Sequence, residues 1–143
     1  MKMIKSLFVA LLFTPLFSYA GEVVVTIKNL ESNKGSIRLH VYTGEEDFHN
    51  KKPYKILTYS KQKETNGILV LRVTLPAGEY GISLLDDENN NKQMDYNIVH
   101  MPKEGFGFSD YYHSGLSMPQ YKNFKFILEE ATPKNVTVKM RYL

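Results

Sequence analysis

The chain has 143 residues, no cysteine and a formal net charge of +3 at neutral pH, with 18 Lys and Arg against 15 Asp and Glu. This length suits a single domain that can bury its own core, and without cysteine no disulfide contributes to its stability. A charge this close to balance gives no electrostatic basis for binding nucleic acid.

The first 20 residues have the pattern of a secretory signal peptide. Lys2 and Lys5 come before a short apolar run at 7–13. Ser18 and Ala20 provide small side chains at the two positions that a signal peptidase reads. The apolar run is too short for a membrane span, which needs ~20 residues. We therefore predict an exported domain at 21–143, in the periplasm or outside the cell, with no transmembrane segment after cleavage.

The mature region alternates apolar and polar residues, which predicts strands with one buried face. In the clearest segment Ile37, Leu39 and Val41 alternate with Arg38 and His40. Six segments alternate in this way, and a weaker seventh spans 54–60: the six are 22–30, 35–43, 68–75, 79–85, 123–129 and 135–143. This pattern predicts an all-β fold, an antiparallel β-sandwich of about seven strands with transthyretin-like or immunoglobulin-like topology.

The segments between the strands contain turn residues and one long aromatic stretch. Ser32–Gly35 is predicted to close a hairpin between the first two strands, and Pro76–Gly78 to form a tight reversal. Residues 45–52 are predicted to form at most one helical turn without an apolar face. Residues 97–121 are irregular and rich in aromatics, so we expect an ordered excursion. Its aromatics either seal one end of the sandwich or form a platform for a sugar or peptide.

A run of acids and amides, LLDDENNNKQMDYN at 84–97, follows a strand-like segment. Oxygen ligands recur there at every second residue, as hard cations require, and the predicted Ca²⁺ ligands are Asp87, Asn89, Asn91, Gln93 (through its carbonyl) and Asp95. Lys92 takes the usual glycine position of an EF-hand and Ile98 that of its final Glu, so we expect a weak site of another type. The alternative is a polar hairpin that caps its own backbone, with Lys92 balancing the acids.

Catalytic motifs are absent from the sequence, but one histidine-based alternative deserves a test. His40 and His49 are predicted to be solvated, whereas His100 and His113 share the aromatic stretch with Asp110. These three residues define a hydrolase hypothesis, which requires hydrogen bonds between them.

Three segments in this order and spacing resemble one known family: GSIRLHVYTGEEDF, LPAGEYGISLLDDENNNKQMDYN and PKEGFGFSD. The chain is similar to the secreted bacterial family called domain of unknown function 2141 (DUF2141). The resemblance implies an exported β-sandwich with no established activity. It places the family's acidic loop on Asp87, Glu88, Asn89, Asn91 and Asp95, with Asn90 and Lys92 where the family has glycine.

Together these observations predict a non-enzymatic binding or accessory module that acts through the loop end at 87–113. Its partner would be an envelope protein, a glycan or a cation, with no other cofactor expected. The predicted binding surface comprises Pro102, Lys103, Glu104, Gly105, Phe106, Gly107, Phe108, Ser109, Asp110, Tyr111 and Tyr112. The principal alternative is a transthyretin-like carrier of a small ligand, with its site between protomers.

Overall fold

The computed structural model describes residues 20–143, which form eight strands and two short helices. The strands are β1 Ala20–Lys28, β2 Ser36–Tyr42, β3 Lys55–Ser60, β4 Leu69–Pro76, β5 Gly78–Asp87, β6 Phe106–Phe108, β7 Lys125–Leu128 and β8 Lys134–Lys139; the helices are α1 Glu45–His49 and α2 Tyr121–Phe124. The predicted signal peptide lies outside the described residues, apart from Ala20, which begins β1. Neither helix has the length and hydropathy to cross a membrane.

The strands form two sheets, which confirms the predicted all-β sandwich. One sheet has the order β4-β1-β8, and the other has the order β3-β2-β5-β6, with β7 pairing with β5. β7 and β6 share one edge of β5: β7 pairs with Gly78–Gly81 and β6 with Ser83–Leu85. One pair departs from the antiparallel prediction, because β8 runs parallel to β1, with Val136 opposite Val25. Immunoglobulin-like or transthyretin-like topology stays a prediction.

Two predicted turns have a different role in the fold. Ser32–Gly35 does not close a hairpin, because β1 and β2 belong to different sheets. Pro76–Gly78 also carries the chain from one sheet to the other, between β4 and β5. Gly35 has the left-handed backbone expected of a turn residue, whereas Gly78, expected to be left-handed too, is not. Neither turn determines whether the next strand pairs with the previous one. Gly35 has a φ of 72°, and a Cβ there would collide with the backbone of Asp87 and Glu88.

The main core lies between the two sheets and consists of the inward residues of the alternating strands. Leu39 is 0% exposed, Leu71 6% and Phe126 7%, as the alternation predicts. Burial of one such side chain contributes about 1.5–3 kcal/mol relative to exposure. The interior faces of both sheets are therefore the main source of the fold's stability.

A second apolar cluster covers part of the outer face of the five-stranded sheet. It consists of Tyr42, Phe48, Phe108, Tyr121 and Phe124, whose side chains are buried. The ring centroids of Phe48 and Phe124 are 4.9 Å apart, and α1 and α2 therefore pack against each other. The prediction that 45–52 lacks an apolar face was wrong, because Phe48 anchors α1 in this cluster.

The excursion at 97–121 was expected to pack against one end or edge of the sandwich; it lies at an edge of the five-stranded sheet and also covers part of its outer face. It contributes β6, whose pairing with β5 was not predicted. Phe124 was expected in the core with Phe126, but it ends α2 and joins the outer cluster. Gly81 permits this contact, since a Cβ there would collide with the rings of Phe124 and Tyr121.

Candidate functional site

The residues predicted to bind Ca²⁺ form a compact turn after β5, which we call the acidic turn (residues 87–95). Asp87 is 1% exposed, and its carboxylate accepts the N–H groups of Asn91 at 3.1 Å and Lys92 at 2.9 Å. The side-chain amides of Asn89 and Asn91 donate to the Asp95 carboxylate at 2.7 and 2.8 Å. Four of the five predicted ligands are thus brought together, in a turn that also caps its own backbone as the alternative required.

Gln93 is placed differently from the other four. Its backbone N–H donates to Asn91 Oδ1 at 3.1 Å, and its exposed side chain lies toward a neighbouring cleft. Two residues of the turn, Asn90 and Lys92, have left-handed φ values of 56° and 68°. The left-handed conformation costs a non-glycine residue about 1–2 kcal/mol, so Lys92 holds local strain in this turn.

A third carboxylate reaches the acidic turn from a separate segment. Glu104 precedes β6 and is 8% exposed, and its Oε2 accepts the N–H of Asp95 at 3.2 Å. Its Oε1 is buried and has no hydrogen-bond partner among residues 20–143. Burial raises the pKa of the Glu104 carboxyl above its usual range; the Asp95 N–H opposes this shift, and the Asp95 and Asp87 carboxylates add to it.

A buried ion pair lies beneath the acidic turn. Lys61 Nζ is 2.6 Å from Asp86 Oδ1, and both side chains are 0% exposed. The Tyr142 hydroxyl donates to Asp86 Oδ2 at 2.6 Å. Burial and this bond to a carboxylate raise the pKa of Tyr142 well above its ordinary value. The ion pair therefore connects the end of β3, the end of β5 and the segment after β8 at the base of the turn.

Next to the acidic turn, a cleft of about 680 Å³ opens over the outer face of the five-stranded sheet. The strand register defines its floor as two rows of side chains across β3, β2, β5 and β6. The first row contains Ile56, His40, Ser83 and Phe108, and the second contains Thr58, Arg38, Leu85 and Phe106. All of these except Thr58 line the cleft. The outward face that the alternation predicted to be solvated is therefore largely covered.

Two loop segments and the residues after α1 form the walls of the cleft. The wall residues are Lys51, Pro53, Lys92, Gln93, Met94, Tyr96, His100, Pro102, His113, Leu116, Met118 and Pro119. Several apolar residues that line the cleft are exposed, among them Leu116 at 77% and Met118 at 47%. The volume and largely apolar lining fall within the range of small-molecule sites, ~300–1,000 Å³.

The charged side chains that line the cleft are all basic, and Leu143 lines it as well. Arg38, Lys51 and Lys92 line it, and none of its described lining residues is Asp or Glu. The Nε of Arg38 is buried and has no hydrogen-bond partner, and its Nη1 lies 3.4 Å from the Thr58 hydroxyl. His40 lies on the same strand as Arg38. Burial of the imidazole lowers the pKa of His40 below 6.5, and the nearby Arg38 charge lowers it further. The floor thus presents an unpaired cationic donor.

The predicted binding surface at 102–112 divides between buried, half-buried and exposed positions. Phe106, Phe108 and Pro102 line the cleft. Ser109 is fully buried and ties β5 to α2, since its hydroxyl accepts the Ile82 N–H and donates to the Phe124 carbonyl. Glu104 lies under the acidic turn. Gly105 and Gly107 pack against Tyr142 and Val138; Lys103, Asp110 and Tyr112 are exposed, and Tyr111 is half-buried.

The residues of the hydrolase hypothesis have separate partners. Asp110 Oδ1 accepts the N–H of Thr137 at 2.8 Å, and His113 Nε2 pairs with the Ser117 carbonyl. No hydrogen bond between described residues joins Asp110, His100 and His113. Both histidines line the cleft, where each adds a polar group to its wall.

Sequence reasoning missed the cleft floor because polar residues there were assigned to a solvated face. One signal was available: Leu85 and Tyr42 are apolar residues at outward positions, alternating with Leu84 and Val41, which face the core. Large apolar residues on both faces of adjacent strands indicate that something covers the second face. The covering segment could not be identified, because the pairing of β6 with β5 is non-local.

Comparison with known proteins gives a family and no closer relative. No curated protein matches the chain. No solved structure matches it either. The model of the family described as "Uncharacterized protein conserved in bacteria (DUF2141)" matches residues 25–137, so the chain belongs to this family.

Proposed function

We propose that this chain is an exported, non-enzymatic binding module that holds a small amphipathic anion in the cleft. Export is supported by the basic residues, short apolar run and small residues of the first 20 positions. The ligand class is an apolar body that carries one acidic group, such as a medium-chain carboxylate. The acidic group binds at Arg38, and the apolar body lies over the floor and walls.

The observation that carries the proposal is the state of Arg38. A guanidinium has five N–H donors and no acceptor, so a buried and unpaired Nε indicates a missing acceptor. Lys51 and Lys92 in the same cleft favour an acceptor with negative charge. An anionic oxygen is therefore the group that best complements this part of the floor.

The rest of the lining explains why the anion should have an apolar body. Phe106, Phe108, Leu85 and Ile56 present carbon surface around Arg38 and His40. The floor combines this carbon surface with polar groups at Arg38, His40 and Ser83, which suits a ligand with one polar end. Apolar ligand surface gains about 25 cal/mol for each Å² that it removes from water.

The cleft lies within one chain, so the proposal does not require a second protomer. It differs in this respect from a transthyretin-like carrier with its site between protomers. The hydrolase hypothesis has no hydrogen-bonded assembly of His100, His113 and Asp110 to support it. The proposal therefore rests on binding in the cleft.

Isothermal titration calorimetry of the processed chain tests the proposal with three probes. Decanoate has both the acidic group and the apolar body, decyltrimethylammonium has the same tail with opposite charge, and acetate has the charge alone. We expect saturable 1:1 binding of decanoate and much weaker binding of the other two. Equal affinity for decyltrimethylammonium, or no binding of decanoate, would contradict the proposal.

Matched arginine substitutions locate the site. Arg38→Met removes the proposed anion contact and should weaken decanoate binding about 10- to 100-fold, the range for a hydrogen bond to a charged group. Arg72→Met removes an exposed arginine on the other sheet, which pairs with Glu22, and should leave affinity within about twofold. Equal losses in both variants would place the binding elsewhere. Melting curves of both variants verify that they fold.

A further inference from the structure

The carboxylates of Asp87, Asp95 and Glu104 lie at or next to the acidic turn, and none of them has a basic partner among the described residues. Three ion pairs join described residues, Lys61–Asp86, Arg72–Glu22 and Lys125–Glu79. None of these pairs includes Asp87, Asp95 or Glu104. The Lys92 side chain lines the cleft, although its own N–H donates to Asp87. The negative charge of this cluster is therefore not balanced by a Lys or Arg side chain within this part of the chain.

Glu104 provides an observation that is independent of the spacing in the turn. It lies nine residues beyond Asp95, and its Oε2 accepts the Asp95 N–H, so its carboxylate faces the turn from a second segment. Its Oε1 is buried and accepts no hydrogen bond, although the residue is 8% exposed. A buried carboxylate oxygen normally has a donor or a cation beside it. Among residues 20–143 the Glu88 N–H lies near this carboxylate, but no donor meets hydrogen-bond geometry at Oε1 and no Lys or Arg pairs with it.

We propose that a divalent calcium ion binds between the acidic turn and Glu104, and that Glu104 supplies the carboxylate that the turn itself lacks. In an EF-hand a Glu at the end of the loop closes the site, whereas here that position is Ile98, which is fully exposed. Glu104 compensates from the segment that leads into β6. The other oxygen ligands come from Asp87, Asp95, Asn89 and Asn91.

The described part of the chain contains no group of three Asp, Glu, His or Cys side chains that could hold a metal ion. The site therefore depends on amide and backbone oxygens as well. Asn89 and Asn91 now donate their NH₂ groups to Asp95. A half-turn of each side-chain amide exchanges NH₂ for oxygen and turns both residues into ligands. It also releases the N–H groups of Asn91 and Gln93, which now donate to the side-chain oxygens of Asn89 and Asn91.

The chemistry of these donors favours calcium over other divalent ions. All of them are oxygen, and neither cysteine nor histidine is present, so a site for zinc or copper is not supported. Magnesium requires strict octahedral geometry and keeps several waters, whereas calcium accepts six to eight oxygens in irregular arrangements. An exposed turn that combines carboxylates with amides is suited to the second case.

Calcium titration of the full processed chain, followed by calorimetry and thermal melting, tests the inference. We expect one site with a Kd on the order of 10⁻⁴–10⁻³ M, the range of extracellular modules. Glu104→Gln keeps the shape but removes the charge, and it should weaken binding at least about tenfold. Glu88→Gln removes an exposed acid from the same turn and should change the affinity less than about twofold.

Several outcomes would overturn the inference. The first is a wild-type chain with no heat and no melting shift at 10-fold excess over the expected Kd. The second is a calcium affinity of Glu104→Gln equal to that of Glu88→Gln. The third is a magnesium affinity and melting shift as large as those of calcium. Melting of Glu104→Gln without calcium shows whether it folds, and loss of the calcium shift in a folded variant supports the site. Decanoate plays no part in this test, so it is independent of the cleft.

Discussion

Removal of the buried ammonium of Lys61 should destabilise the fold more than any surface substitution. Lys61 and Asp86 are both 0% exposed, and their charged atoms are 2.6 Å apart. In Lys61→Met the Asp86 carboxylate stays buried, with the Tyr142 hydroxyl as its remaining side-chain donor. Breaking such a pair from one side costs about 3–5 kcal/mol, because a buried charge is left without compensation.

The size of this loss is measurable against the stability of the whole domain. Domains of this length unfold with about 5–15 kcal/mol, so Lys61→Met should lower the urea midpoint substantially at pH 7. Lys61→Met combined with Asp86→Asn removes both charges, and it should be more stable than Lys61→Met alone. A matched exposed variant, Lys125→Met, breaks a surface pair with Glu79 and should cost less than about 1 kcal/mol.

Equilibrium urea unfolding of these variants, monitored by tyrosine fluorescence, separates the possibilities. If Lys61→Met loses less than about 1 kcal/mol, or if the double variant is no more stable than the single one, the assignment of an uncompensated buried carboxylate is wrong. An unchanged dependence on urea concentration across the series would show that the same surface is exposed on unfolding.

Three further predictions concern His40, Tyr121 and Lys92. The folded state disfavours the charged form of His40, so the stability that this residue contributes is present above pH 6.5 and is lost as the pH falls below 6.5 toward its lower folded-state pKa. NMR titration should place the midpoint of His40 below 6.5, and decanoate should move it upward. A midpoint above 6.5 without ligand would contradict the burial argument. Tyr121→Phe removes a buried hydroxyl without a partner and should raise the free energy of unfolding by about 1 kcal/mol, and a loss of similar size would reveal a missed partner. Lys92→Gly relieves a φ of 68° and should stabilise the fold by about 0.5–1 kcal/mol while weakening decanoate binding; destabilisation in urea would show that the turn is not strained.

The strand alternation was sufficient to predict the sandwich core. Ile37, Leu39 and Val41 alternate with outward residues, and the burial of these three follows from the geometry of a single strand. Strand partners were not predictable in this way. The parallel pairing of β8 with β1 depends on contacts between distant segments. The antiparallel pairing of β6 with β5 does so as well.

The candidate sites illustrate the same division. The acidic turn was predicted from local spacing, because ligands at every second residue can be recognised within one loop. The position of Glu104 under this turn depends on the strand pairing that brings the Gly105 carbonyl to the Asp86 N–H, at 2.8 Å. Arg38 and His40 were assigned to solvent for a similar reason, since the sequence does not show which segment returns to cover them.

A crystal structure of the processed chain with decanoate would show directly whether the cleft binds an amphipathic anion. We expect the carboxylate within hydrogen-bond distance, ~3 Å, of Arg38 Nε, with the alkyl chain over Leu85, Phe106 and Phe108. An empty cleft at saturating decanoate, or a carboxylate bound away from Arg38 with Nε still unpaired, would contradict this expectation.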